Sequence, residues 1–267
     1  MARAEVGIVA RSEEAPLRVS ESRELASLGE PGSRGEGEGA ALLAQLRRER
    51  FIGCLEAGVA DGPQRRLWWS EGQVVGGASP VASESMLGRL VARGLIDGEQ
   101  RELAVRWSSG DLRRDAERLA QAGWLKPQEA QEALREPVRR LVERFAEAPT
   151  LAWALYPGER PATPVELGVP LAALIAGGIR RGGRLAGLRV AAPDLLRPRL
   201  SFVGPEALAA ELRWPAATGI AGRFDGRASV GELIAAGIAD ERDIRGLAYV
   251  LALLGHLAPP LEDEAAG

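Results

Sequence analysis

Hydrophobic positions recur along this chain at two periods, and the changes of period mark its elements. Leu42, Leu43 and Leu46 share one face at helical spacing, with Arg47, Arg48 and Arg50 following where a helix C-terminus favours cations. Three strands are predicted at about 51–59, 64–70 and 73–78. Glu71-Gly72 joins the last two, its glycine supplying the positive φ of a tight hairpin turn. Within Leu67-Trp68-Trp69-Ser70 a period of two sets Leu67 and Trp69 on one face and Trp68 on the other. Trp69 is therefore expected in the core and Trp68 toward solvent. Leu151, Trp153 and Leu155 alternate with small residues and predict a further strand for the same sheet.

After the hairpin a helical pattern repeats. Leu90-Val91-Ala92-Arg93-Gly94-Leu95-Ile96-Asp97 returns 29 residues later as Leu119-Ala120-Gln121-Ala122-Gly123-Trp124-Leu125-Lys126, which predicts two helix-turn-helix units. Gly94 and Gly123 fall where left-handed caps end helices, Asp97 with Gln100 can cap the next helix, and Pro127 suits a first turn. The stripe Ala130, Leu134, Val138, Leu141, Val142 and Phe145 continues the second unit, and Pro137 is expected to kink or divide it.

Composition divides the chain. Residues 1–38 are rich in charge, Gly and turn formers and read as a disordered tail; 39–157 form the hairpin sheet with its two helical units. Residues 158–170, with Pro157 just before and Pro161, Pro164 and Pro170 within, read as a linker. A mainly helical region is expected at 171–258, with a winged-helix-like arrangement as one option, and a second disordered tail at 259–267. Within it Leu171, Leu174, Ile175 and Ile179 mark a helix, and Pro205 to Leu212 a short one. Ser229 with Glu232 makes a capping box, Gly237 ends that helix, and Asp240 starts another lined by Leu247, Leu251 and Leu254. The fold class is thus α+β: a small antiparallel hairpin sheet packed with repeated helix-turn-helix units, then a mainly helical C-terminal region.

Candidate chemistry narrows by counting. His256 is the only histidine and Cys54 the only cysteine, which removes histidine triads, multi-histidine metal sites and an intrachain disulfide. Cys54 lies in the apolar run Phe51-Ile52-Gly53-Cys54-Leu55 and is expected to be a buried small hydrophobe. Gly77-Ala78-Ser79-Pro80-Val81 lacks the second glycine of a nucleophile elbow, and Pro80 has no N–H for an oxyanion. No catalytic residue, metal or cofactor is implied, and a non-enzymatic protein is expected. Net charge is −3 with arginines and acids interleaved, so nucleic acid is disfavoured as a partner. Apolar runs such as Leu171 to Ala176 fall well short of the roughly 20 residues that span a bilayer. The N-terminus carries acids where a signal peptide is apolar, so a cytoplasmic location without membrane insertion is expected. The one small-molecule candidate is Gly177-Gly178-Ile179-Arg180-Arg181-Gly182-Gly183-Arg184, where Arg180, Arg181 and Arg184 could pair with an anion beside flexible backbone.

The region from about Ala40 to Tyr156 resembles the PatA-like N-terminal domain, a bacterial domain of unknown function found in myxobacterial-type regulatory proteins. The likeness rests on Phe51 to Leu55, Leu67 to Val75, Leu87-Gly88-Arg89-Leu90 with Gly94-Leu95-Ile96, and Val138 to Phe145. Phe224 to Arg227, followed by Ser229 to Leu233, also looks like a C-terminal segment of such proteins. The resemblance implies signalling or scaffolding through contacts with another protein. Arg66 and Trp68, which share the strand face opposite Leu67, are the expected partner contacts, since Trp and Arg dominate interface energetics. The repeat is also similar to the N-terminal domains of secretion and pilus ATPases, some of which bind cyclic di-GMP. Here Met86 replaces the arginine of their motif, Asp115-Ala116-Glu117 fills its second copy, and Ser108 and Pro137 stand near the glutamine positions. An adaptor or scaffold is therefore the leading expectation, with a cyclic-dinucleotide sensor or a DNA-associated regulator as alternatives.

Overall fold

The hairpin is built around its turn. In the computed structural model, which describes residues 34–59, 62–109, 111–181, 199–203, 208 and 211–258, strands β3 (Arg65–Ser70) and β4 (Gln73–Ala78) flank a two-residue loop. Glu71 and Gly72 both take positive φ, 51° and 73°, the primed turn whose twist matches the strands it joins. A Cβ on Gly72 would stand 2.5 Å from the Arg47 carbonyl oxygen, so glycine is required there for space as well as for φ. Burial alternates along β3: Arg65, Leu67 and Trp69 are buried, while Arg66 and Ser70 are exposed and Trp68 is intermediate.

Five antiparallel strands make the main sheet. β1 (Arg34–Gly37), β2 (Gly53–Gly58) and β5 (Leu151–Pro157) join the hairpin in the order β1-β5-β2-β3-β4. The strand at 151–157 thus returns to the sheet, pairing with β2 on one side and β1 on the other. Residues 34–37, whose composition places them in the tail, are its edge strand; residues 1–33 lie outside the described residues. Backbone hydrogen bonds to β5 take up donors and acceptors there regardless of side-chain hydrophobicity.

Two helices cover the inner face. α1 (Gly39–Arg48) buries Leu42, Leu43 and Leu46, and α5 (Pro127–Glu147) buries Val138, Leu141, Val142 and Phe145. α5 runs unbroken through Pro137, which corrects the expected division. Ala130 and Ala133 on its first half and Val138 to Ala146 on its second are gripped by two separate cores, which outweighs one missing hydrogen bond.

The second of those cores belongs to the repeat. α2 (Met86–Ala92) and α3 (Gly98–Trp107) form one unit, α4 (Leu112–Gln121) and the start of α5 the other. Their turns are equivalent bond for bond: Leu95 N donates to Leu90 O and Trp124 N to Leu119 O, each at 3.0 Å, around Gly94 at φ 67° and Gly123 at φ 74°. Leu90 and Ile96 and their counterparts Leu119 and Leu125 are buried together with Met86 and Ala116. Asp97 with Gln100 closes the predicted capping box at 2.8 and 2.9 Å.

Residues 158–170 are a packed strap rather than a free linker. Val165 and Leu167 are buried, Val165 N donates to Val75 O at the bulge of β4, and Arg135 and Arg139 hold the carbonyls of Glu166 and Leu167. The strap leads into α6 (Leu171–Arg181), which lies on α5. Beyond it, β6 (Arg199–Phe202), β7 (Asp225–Ser229) and β8 (Leu257–Ala258) form a sheet ordered β7-β6-β8. The short helix α7 (Ala217–Ala221), α8 (Val230–Ala235) and α9 (Glu241–Leu253) complete this region. Ser229 and Glu232 make the predicted capping box, and Gly237 follows at φ 63°. α9 is buried from Gly246 through Leu253 against α1, α6 and α8, so one hydrophobic core runs through both halves of the chain. The predicted short helix near Pro205 lies mostly outside the described residues. Among the described residues no helix is long and apolar enough to cross a membrane.

Candidate functional site

Three surfaces gather side chains with functional potential, and the first is the outer face of the sheet. The pairings Cys54↔Trp68, Glu56↔Arg66 and Cys54↔Tyr156 set these five residues on one face. Arg66 Nε donates to Glu56 Oε2 at 2.7 Å, its Nη1 lies 3.5 Å from Glu159, and its guanidinium stands 6.0 Å from the centre of the Tyr156 ring. Hydrogen bonding to Glu56 raises the Arg66 pKa further, although burial opposes it. Trp68 Nε1 donates to Glu159 at 3.2 Å, and Pro161 packs beside Trp68 over Gly76. Arg66 and Trp68 are brought together as the strand pattern requires, with their polar groups already partnered by Glu56 and Glu159. Beneath them Cys54 is fully buried, and burial, with Glu159 nearby, pushes its thiol up to about 12. At neutral pH it is a protonated core residue, not a nucleophile.

Arg65, one residue before the expected contact, faces inward. Its guanidinium donates to both oxygens of Glu84, Nε to Oε2 at 2.6 Å and Nη2 to Oε1 at 2.9 Å. Ser79 Oγ donates to the same carboxylate at 2.6 Å, and Arg144 approaches at 3.1 Å. The Arg65 hydrogen bonds hold the Glu84 carboxyl below its ordinary range against the opposing effect of burial. All four partners are accounted for, so this cluster clamps β3 and α5 to the turn before α2.

The second surface is a cleft of about 680 Å³ between α5 and α6. Arg180 and Arg181, predicted at the glycine-rich end of α6, both border it; Arg184 lies outside the described residues. Arg181 is bound by Glu143 at 2.7 Å and Glu147 at 2.9 Å; burial lowers its pKa and these carboxylates more than reverse the effect. Arg93, Arg139, Arg140 and Arg213 join the rim, a gathering from four separate stretches that no spacing in the sequence announces.

The third surface lies on the repeat. α3 buries only Ala104, leaving Leu103, Val105 and Trp107 exposed, and the exposed Leu112 at the start of α4 borders the same small cleft as Trp107. Trp107 stacks on Trp124, ring centres 5.0 Å apart and planes inclined by 22°. The sequence carries one faint signal of this surface. Leu103, Val105 and Trp107 step by two on a helix and so cannot all face one core. Of the positions aligned with the cyclic-dinucleotide motif, Met86 is buried, and Asp115 accepts from Ser108 Oγ at 2.6 Å and Ser109 N at 2.9 Å. His256 sits behind α9, its pKa lowered by burial and by Arg47. Among the described residues no group of three metal-ligating side chains assembles.

Comparison with protein-family models, curated proteins and solved structures finds no match to this chain. What its own architecture defines is an α+β protein in which a five-stranded sheet carries a helix-turn-helix repeat with its own small core.

Proposed function

We propose that the protein is a non-catalytic interaction module, an adaptor or scaffold in bacterial signalling or regulation, that offers α3 and the start of α4 to another protein. The supporting observation is the exposed apolar group Leu103, Trp107 and Leu112, with Trp107 and Leu112 each 42% exposed, on and beside a helix that contributes one side chain to a core. A single exposed apolar residue needs no explanation; Trp107, held in place by stacking on Trp124, flanked by Leu103 one helical turn away and sharing a small cleft with Leu112, makes a preorganised anchor. Arg66 and Trp68 form a second contact face, weaker because their polar groups are already engaged. The resemblance to the PatA-like domain points in the same direction. A DNA-reading role has less support, because the second helix of the C-terminal pair is buried rather than free to enter a groove.

Affinity purification of the tagged chain from its native host tests the reading. Wild type is expected to retain a partner, Arg66→Ala to weaken it only slightly, and Trp107→Ala and Leu103→Asp to lose it by at least about tenfold while folding normally. A partner retained undiminished by both α3 variants would overturn the assignment.

A further inference from the structure

The cleft between α5 and α6 holds more cation than its own walls neutralise. Six arginines and three glutamates border it, and each glutamate is already taken: Glu132 by Arg139, Glu136 by Arg93, and Glu143 by Arg181 and, at 3.4 Å, Arg140. Among the described residues no carboxylate pairs with Arg180 or Arg213, both exposed at the rim. The Arg180 backbone is pinned, its carbonyl accepting from Arg242 Nη2 at 2.8 Å. Arg213 takes φ 52°, a left-handed conformation that costs a non-glycine residue energy and that clusters at ligand sites. The floor is of opposite character, formed by Leu174 of α6 and the buried Trp214, whose indole N–H is spent on Asp243 at 2.9 Å.

A concave site with surplus guanidinium groups focuses positive potential, and guanidinium is the donor that best matches phosphate oxygens. Apolar floor and cationic rim together select a molecule with both characters. We infer that this cleft binds a soluble organic phosphate, its phosphate at Arg180 and Arg213 and its apolar or aromatic body against Leu174 and Trp214. A site of this size suits a small molecule. It is separate from α3, so it could hold its ligand whether or not α3 binds a partner.

The full chain, titrated with phenyl phosphate at constant low ionic strength and followed by the Trp214 indole resonance, provides the test. A saturable shift is expected, with weaker binding of inorganic phosphate. Arg180→Gln combined with Arg213→Gln, both at exposed positions, is expected to raise Kd at least about tenfold with the thermal midpoint preserved. No saturable shift, equal affinity in the double variant, or inorganic phosphate binding as tightly would each overturn the inference. Sedimentation with phosphatidate vesicles that phenyl phosphate competes away would overturn the soluble ligand in favour of a lipid headgroup.

Discussion

Arg65 and Arg66 are adjacent, identical in type and opposite in role. The pleat sends Arg66 to the outer face, where an exposed ion pair with Glu56 contributes little, and turns Arg65 inward, where an unpaired guanidinium would be costly. Arg65→Ala leaves Glu84 in a buried setting without its bidentate donor and is expected to lower unfolding free energy by about 3 kcal/mol, read by urea denaturation. Arg66→Ala should shift the midpoint hardly at all. The Glu84 carboxyl titrates below its unfolded value, so its stabilising contribution is fully present above the ordinary carboxylate range and is lost as pH falls from there through the lowered folded value. In Arg65→Ala the loss of stability as pH falls below the ordinary carboxylate range should accordingly be shallower than in wild type. Equal acid slopes in the two proteins would show that Arg65 does not govern Glu84.

At the scale of elements, two neighbouring glycines of α6 separate helix propensity from helix packing. A Cβ on Gly178 would lie 2.5 Å from the Glu143 carbonyl oxygen and 2.6 Å from the Ala146 Cβ, whereas one on Gly177 would meet only side-chain atoms at 3.7 Å and beyond. Gly178→Ala must therefore push α6 off α5 and is expected to destabilise by about 2 kcal/mol. Gly177→Ala gains helix propensity without a clash and is expected to stabilise by up to about 1 kcal/mol. Urea midpoints at unchanged m-value check both, and similar effects from the two substitutions would refute the close crossing. The stretch from Gly177 reads as a helix end leading into a flexible turn, and only the approach of α5 makes Gly178 an interior contact.

For the whole molecule, the decisive fact is that one core crosses the supposed linker. α9 packs on α1 and α6, Arg48 Nη1 donates to the Leu253 carbonyl at 2.9 Å, and the Tyr249 hydroxyl bonds to Glu38. A chain ended after Pro170 would strip α6 and α9 from α1 and α5 and expose apolar surface that the remaining residues cannot cover. It is expected to lose its cooperative thermal transition, measured by near-ultraviolet circular dichroism. A sharp transition in that fragment would establish residues 34–170 as an independent domain.

Local chemistry was written in the sequence: the Glu71-Gly72 turn, the caps at Asp97 and Ser229, the paired turns at Gly94 and Gly123, and the inward Trp69 each follow from a few consecutive residues. Such features depend on φ, on unsatisfied helix ends and on strand period, all of which act within a turn or two of chain. The partner of Arg65, the fate of Pro137, the packing of 158–170, the unpaired arginines over Trp214 and the exposure of α3 were decided by tertiary structure. Each depends on which distant surfaces meet, and a side chain's burial or charge balance is fixed only when they do.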